Sequence, residues 1–259
     1  MKEKRRKQNF LKKNFLYALV IILILPQYLK AQEKDFVNLF FKATTIKNGV
    51  KFWKCEMSYT GTPIKLKSIS PKTKIEELLQ KRKSQRVYTG EKTSFFALSS
   101  LLYYANGVRK DGKRFHPSAG AFYPFKIYIV VNKVNSIQRG VYLYQEKINS
   151  IIRLECNQKA FGSFFNNLYP RKRILKKSSF FFVYVADFKN IRKKYMNRSL
   201  RYVFTELGTI VQNMYLLSKE FSLGTVFLGA YYDDFINNIL KLNKNRYYVC
   251  GIQVFGKVK

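Results

Sequence analysis

The segment from Ser199 to Phe221 is the strongest constraint on how this chain folds. Leu200, Val203, Leu207, Ile210, Val211, Met214, Leu217 and Phe221 recur at helical spacing, with polar residues between them. Twenty-three residues in that register make one helix about 35 Å long, whose apolar stripe needs a flat partner. Strand signals supply one. Phe125, Ile127, Ile129 and Val131 alternate strictly, Val141–Tyr144 and Ile151–Leu154 read as a hairpin, and Phe180–Val185 is an unbroken apolar run. Tyr247–Phe255 closes the sheet. Further helices are expected over Thr73–Lys83 and over Ser94–Asn106, stopped by Gly107, with a short one capped by Asp233 or Asp234. The class is α+β, in one compact domain over 67–259, with 32–66 as a connector.

The first thirty-one residues read as a targeting segment. A basic cluster, K-E-K-R-R-K-Q-N-F-L-K-K, precedes the uncharged run Phe15–Leu25. That order is the arrangement of a secretory signal, with Ala31 before the cut, and an uncleaved membrane anchor is the alternative. The cations should stay cytoplasmic, which puts the rest of the chain across the membrane. The chain is cytoplasmic only if the leader is a misassigned start.

Composition excludes several classes. The 259 residues are 47% hydrophobic and 17% aromatic, which rules out a mainly disordered chain. One histidine, and three cysteines without a C-x-x-C pair, leave no basis for a metal site. Lys and Arg number 49 against 15 Asp and Glu, so acidic partners enter: phosphate groups, anionic lipid or nucleic acid. The cations run from end to end of the chain rather than on one helix or arm. That weighs against nucleic acid, although a non-catalytic basic protein binding nucleic acid or a membrane surface is the reading from another class.

Four segments carry chemistry. In R-K-S-Q-R, extended backbone would turn Arg82, Ser84 and Arg86 to one side, a donor set suited to phosphate. In P-S-A-G-A-F-Y-P, Ser118, Ala119 and Gly120 let backbone lie close to a flat ligand; His116 beside them is expected to be structural. The long helix carries Arg201, Tyr202, Glu206, Gly208, Gln212 and Asn213, polar groups expected by default to be satisfied within the fold. Leu223–Asp234 is a strand opening through Leu228 and Gly229 towards a helix. Neither a Rossmann glycine pattern nor a P-loop occurs.

Taken in order, R-K-S-Q-R, P-S-A-G-A-F-Y-P-F-K-I-Y-I-V-V, R-Y-V-F-T-E-L-G-T-I-V-Q-N-M and L-G-T-V-F-L-G-A-Y-Y-D-D resemble the FMN-dependent nitroreductase superfamily, more closely its SagB-type dehydrogenase branch. The resemblance implies a mixed, mainly antiparallel sheet flanked by helices, and a homodimer holding FMN at its interface. It gives Arg82, Ser84 and Arg86 to the FMN phosphate and ribityl chain. It lays Ser118, Ala119, Gly120, Leu228 and Gly229 along the flavin, and lets Lys257 stand in for the basic tail of relatives. Lys194 and Tyr195 match the Lys-Tyr pair implicated in proton abstraction by azoline dehydrogenases. Such a base needs burial or neighbouring cations, here Arg192, Lys193 and Arg198. The implied activity is hydride transfer between flavin N5 and a small molecule or modified peptide, such as azoline-to-azole oxidation. Reduction of nitroaromatics or quinones by NAD(P)H is the alternative within the class. The sequence departs from the family at Thr209, where a histidine is frequent, and at Ala121, where classical nitroreductases tend to have asparagine.

Overall fold

The computed structural model describes residues 62–67, 70–168 and 172–259. The leader and most of the connector read from the sequence lie outside these. Among the described residues no helix is long and apolar enough to cross a membrane.

The first helix, α1 (Lys74–Lys81), starts where a capping box closes: Thr73 Oγ accepts from Glu76 N while Glu76 Oε2 accepts from Thr73 N at 2.7 Å. Helix α2 (Phe95–Asn106) is capped by Ser94, which accepts from Ala97 N at 3.1 Å, and stops at Gly107. Strands β1 (Phe125–Val131), β2 (Gly140–Gln145) and β3 (Ser150–Arg153) follow, then helices α3 (Gln158–Asn167) and α4 (Lys172–Lys177). Strand β4 (Phe180–Asp187) runs into α5 (Phe188–Tyr195), a 3-10 turn over Met196–Arg198 and the long α6 (Ser199–Glu220). The chain ends with β5 (Leu223–Leu228), α7 (Asp233–Ile239) and β6 (Tyr247–Lys257).

The six strands form one sheet in the order β3-β2-β1-β4-β6-β5. Every strand pairing in it is antiparallel, and the isolated bridge Thr93–Val134 is parallel. The fold is therefore the expected α+β sheet with flanking helices. Strand β4 is buried on both faces, which is why Phe180–Ala186 shows no alternation. One layer holds α2, α5 and α6; the other holds α3, α4 and α7.

Two details differ from the sequence reading. Strand β6 is interior and β5 forms the edge, because the chain leaving α6 pairs outside the strand that follows it. The cap of α7 is Tyr232, while Asp233 and Asp234 occupy its first turn, where negative charge favours the helix dipole.

Strand β6 bulges at Cys250, since Tyr184 faces Gly251 and Val185 faces Val249. A methyl group on Gly251 would overlap the Phe227 ring. Gly251→Ala is expected to cost about 1–3 kcal/mol of stability, read as a lower urea midpoint at unchanged slope.

Candidate active site

Arg82 leaves α1 with extended backbone, φ −63° and ψ 121°, and the segment after it runs beside β5, where Gln85 N donates to Thr225 O at 3.0 Å. Ser84 Oγ lies 3.0 Å from Tyr215 Oη, the Arg82 guanidinium stands 5.4 Å over the Tyr215 ring, and Arg86 Nη1 donates back to Ser84 O. Gln85 reaches the same helix one turn further on and accepts from Lys219 Nζ at 2.7 Å. Tyr215 Oη also accepts from Phe227 N at 2.9 Å, which ties this segment to the end of β5. Leu228, next in the strand, is buried; Gly229 beyond it is exposed, and a side chain there would meet open space.

Among the described residues no carboxylate pairs with Arg82, Lys83, Arg86 or Lys219. Burial, and then the charges of Lys83 and Arg82, depress the pKa of Lys219. Four uncompensated cations with a part-buried hydroxyl and an open glycine edge suit a phosphorylated planar ligand. By this test the residues fit FMN. The Lys257 ammonium donates to Phe221 O at 3.2 Å, two residues after Lys219 and near the start of β5.

A second cluster forms on Ser118–Ala119–Gly120. Residues 119–121 make a 3-10 turn in which Gly120 takes φ +62°, and Ser118 Oγ pins the turn by accepting from Tyr123 N at 2.9 Å. A side chain at Gly120 would crowd Phe122 and come 3.0 Å from Tyr195 Oη. The Tyr195 ring packs on Tyr202 at 4.6 Å and on Phe122 at 6.1 Å. The Lys194 ammonium sits 5.5 Å over the Tyr195 ring and 5.9 Å over Phe122. The two segments, seventy-five residues apart in sequence, therefore meet. Lys194 itself is exposed, so the burial asked of a lysine base is not present in the single chain.

The two clusters are separate. Tyr215 anchors the first, while Tyr202 and Glu206 lie at the second, nine residues or more away on α6, about 13 Å along its axis.

Beneath the second cluster is a polar group that sequence reading did not assemble. Glu206 is 2% exposed, and neither carboxylate oxygen has a hydrogen-bond partner that meets full geometry. His116 Nδ1 lies 3.5 Å from Glu206 Oε1, and His116 Nε2 lies 3.4 Å from Asn106 Oδ1. Arg114 Nη1 donates to Asn106 O at 2.8 Å. Burial pushes the Glu206 carboxyl up to about 7, against the pull of the Ser118 hydroxyl and the Arg114 guanidinium. Burial pushes His116 down to about 4, reinforced by Arg114 and opposed by the Pro117 carbonyl. At neutral pH the imidazole is uncharged.

Comparison with known proteins bears on this geometry. A family model described as "Nitroreductase family" matches residues 79–257. A nitroreductase homologue from Methanocaldococcus jannaschii is 35% identical over 179 residues, which are 66% of this chain and 86% of that protein. Among solved structures, the Escherichia coli microcin synthetase McbBCD complex with truncated pro-MccB17 bound is similar with a TM-score of 0.61. It is 22% identical and the match covers 88% of this chain and 92% of that one. A nitroreductase homologue from Anabaena variabilis has the same TM-score and identity, covering 71% of this chain and 38% of its own. This chain thus spans well under half the length of that protein. At these identities the two structural likenesses are likenesses of fold.

Proposed function

The chain belongs to the nitroreductase family, and on that premise we propose that it is an FMN-dependent oxidoreductase of the SagB type that oxidises azoline rings to azoles. Members of the family bind FMN. The observation that carries the proposal is the contact of Tyr195 Oη with Gly120, which brings the Lys-Tyr pair onto the small-residue turn. Arg82, Ser84 and Arg86 would hold the phosphate, with Lys219 adding charge. Ser118, Ala119, Gly120, Leu228 and Gly229 would line the ring. The chemistry that FMN supplies when bound is hydride exchange with the substrate. Lys194 would take the proton that leaves the substrate, with Tyr195 orienting the groups around it.

The separation of the two clusters along α6 supports a homodimer in which each site draws on both copies. Apolar side chains left uncovered in the single chain fit that assembly: Ile75 on α1 is 60% exposed and Phe96 on α2 73%. One observation favours a second reading. The exposure of Lys194 suits reduction of nitroaromatics or quinones by NAD(P)H, which needs no buried protein base.

The test is the absorption spectrum of the purified chain, with identification of any released flavin. A yellow protein that gives up FMN is expected; a colourless folded protein indifferent to added FMN overturns the proposal. Turnover of an azoline peptide without NAD(P)H, against consumption of NAD(P)H with a nitroaromatic, separates the two readings. Lys194→Met and Tyr195→Phe are each expected to slow azoline oxidation by about a hundredfold or more while the flavin spectrum persists.

A further inference from the structure

A cavity of about 320 Å³ lies between α5, the 3-10 turn, the start of α6 and the start of β6. Its walls are mostly apolar, from Phe188, Leu200, Phe204, Tyr248 and Val249, and its one charged wall is Arg192. Arg192 and Phe188 also bound a neighbouring cavity of about 290 Å³, whose other walls include Lys189, Lys193 and Arg246. The two cavities therefore form one groove, apolar at one end and cationic at the other.

The charge at the cationic end is uncompensated. Asp187 is committed to Arg246, accepting from Nε at 2.9 Å and from Nη2 as well. Among the described residues no carboxylate pairs with Lys189, Arg192 or Lys193. A guanidinium beside an apolar cavity suits a carboxylate, because its fork matches two oxygens. The apolar end is large enough for an aromatic ring and sits at the small end of the range for ligand pockets.

We propose that this groove is a binding site for an aromatic carboxylate, ring in the apolar cavity and carboxylate on Arg192. The site does not rest on the redox reading. The same chemistry is offered by a free aromatic acid and by a peptide that ends in an aromatic residue.

Isothermal titration of the full chain tests it, with 3-phenylpropionate, its uncharged amide, propionate, and a hexapeptide ending in phenylalanine. Saturable binding of 3-phenylpropionate is expected, weakened about tenfold or more in the amide and in propionate. Arg192→Gln should weaken the acid by a similar factor, and Leu200→Trp, which narrows the cavity from α6, should abolish binding. Unfolding curves check that both variants fold, and either one suffices. Tighter binding of the hexapeptide than of its C-terminal amide assigns a peptide end as the natural ligand; binding of the free acid alone assigns a small molecule. The site is refuted by the absence of saturable binding, by equal affinity for acid and amide, or by indifference to a folded Arg192→Gln variant.

Discussion

Removal of both guanidinium groups in Arg82→Ala/Arg86→Ala is expected to weaken FMN binding by about a hundredfold or more. A hydrogen bond to a charged group contributes about 1.5–3 kcal/mol, so two such contacts to one phosphate reach that factor before any loss of long-range attraction. Neither arginine is part of the core: both are exposed, and the backbone between them is held by Gln85 and Ser84 rather than by their own side chains. The double variant should therefore fold with little loss of stability. Quenching of flavin fluorescence gives the dissociation constant, and riboflavin is the control. It carries the same ring without phosphate, so its affinity should change little. If FMN and riboflavin weaken together, the arginines hold the ring or the fold and the phosphate assignment is wrong. Raising salt should narrow the gap between parent and variant, because Arg82 and Arg86 on an exposed segment act partly through their field.

What the sequence disclosed about this fold depended on whether the cause was local. The alternation at Phe125–Val131 matches β1 residue for residue, and the stripe on Ser199–Phe221 matches α6 to within one residue, because both record one buried face. Helix α3 does carry Phe161, Phe164, Phe165 and, just past its end, Leu168 at helical spacing, a local signal that the sequence reading passed over. Helix α5 buries only Phe188 and Ile191 among charged neighbours, too few positions to set a period. The candidate site divides in the same way. Arg82 and Ser84 both reach Tyr215, as the alternation of an extended backbone allows, a property of a few consecutive residues. Tyr215 gave no signal, since its hydroxyl matters only through Ser84, 131 residues earlier, and Phe227 on another element. His116 looked isolated for the same reason: its carboxylate neighbour is ninety residues away in sequence and 3.5 Å away in space.

That pair carries the second large prediction, a pH dependence that each partner hides in the other. Glu206 titrates at about 7 in the folded chain against an ordinary 4.5, so the native state keeps a proton the unfolded chain has lost. Linkage then makes stability fall as pH rises from 4.5 to 7. His116 titrates at about 4 against 6.5, so here the unfolded chain holds the extra proton and stability rises with pH from 4 to 6.5. Between 4.5 and 6.5 the slopes are opposite and nearly equal, each about 1.4 kcal/mol per pH unit. The parent pair therefore holds one proton over that interval in the folded and in the unfolded chain, and its own contribution is flat. Glu206→Gln removes one side of the balance and should leave a protein that gains stability up to pH 6.5. His116→Gln removes the other and should leave one that loses stability from pH 4.5 upward. Arg114, the charge nearest both, stays in place in either variant and keeps its sign throughout. Relative to each other, the two variants should diverge by up to about 5 kcal/mol between pH 4.5 and 6.5. Urea unfolding at four pH values in that interval measures the divergence, and comparing the two variants cancels the background from exposed carboxylates. Parallel curves for the two would mean that the buried carboxyl and imidazole titrate as they do in the unfolded chain, and that water reaches them beneath the Ser118 turn.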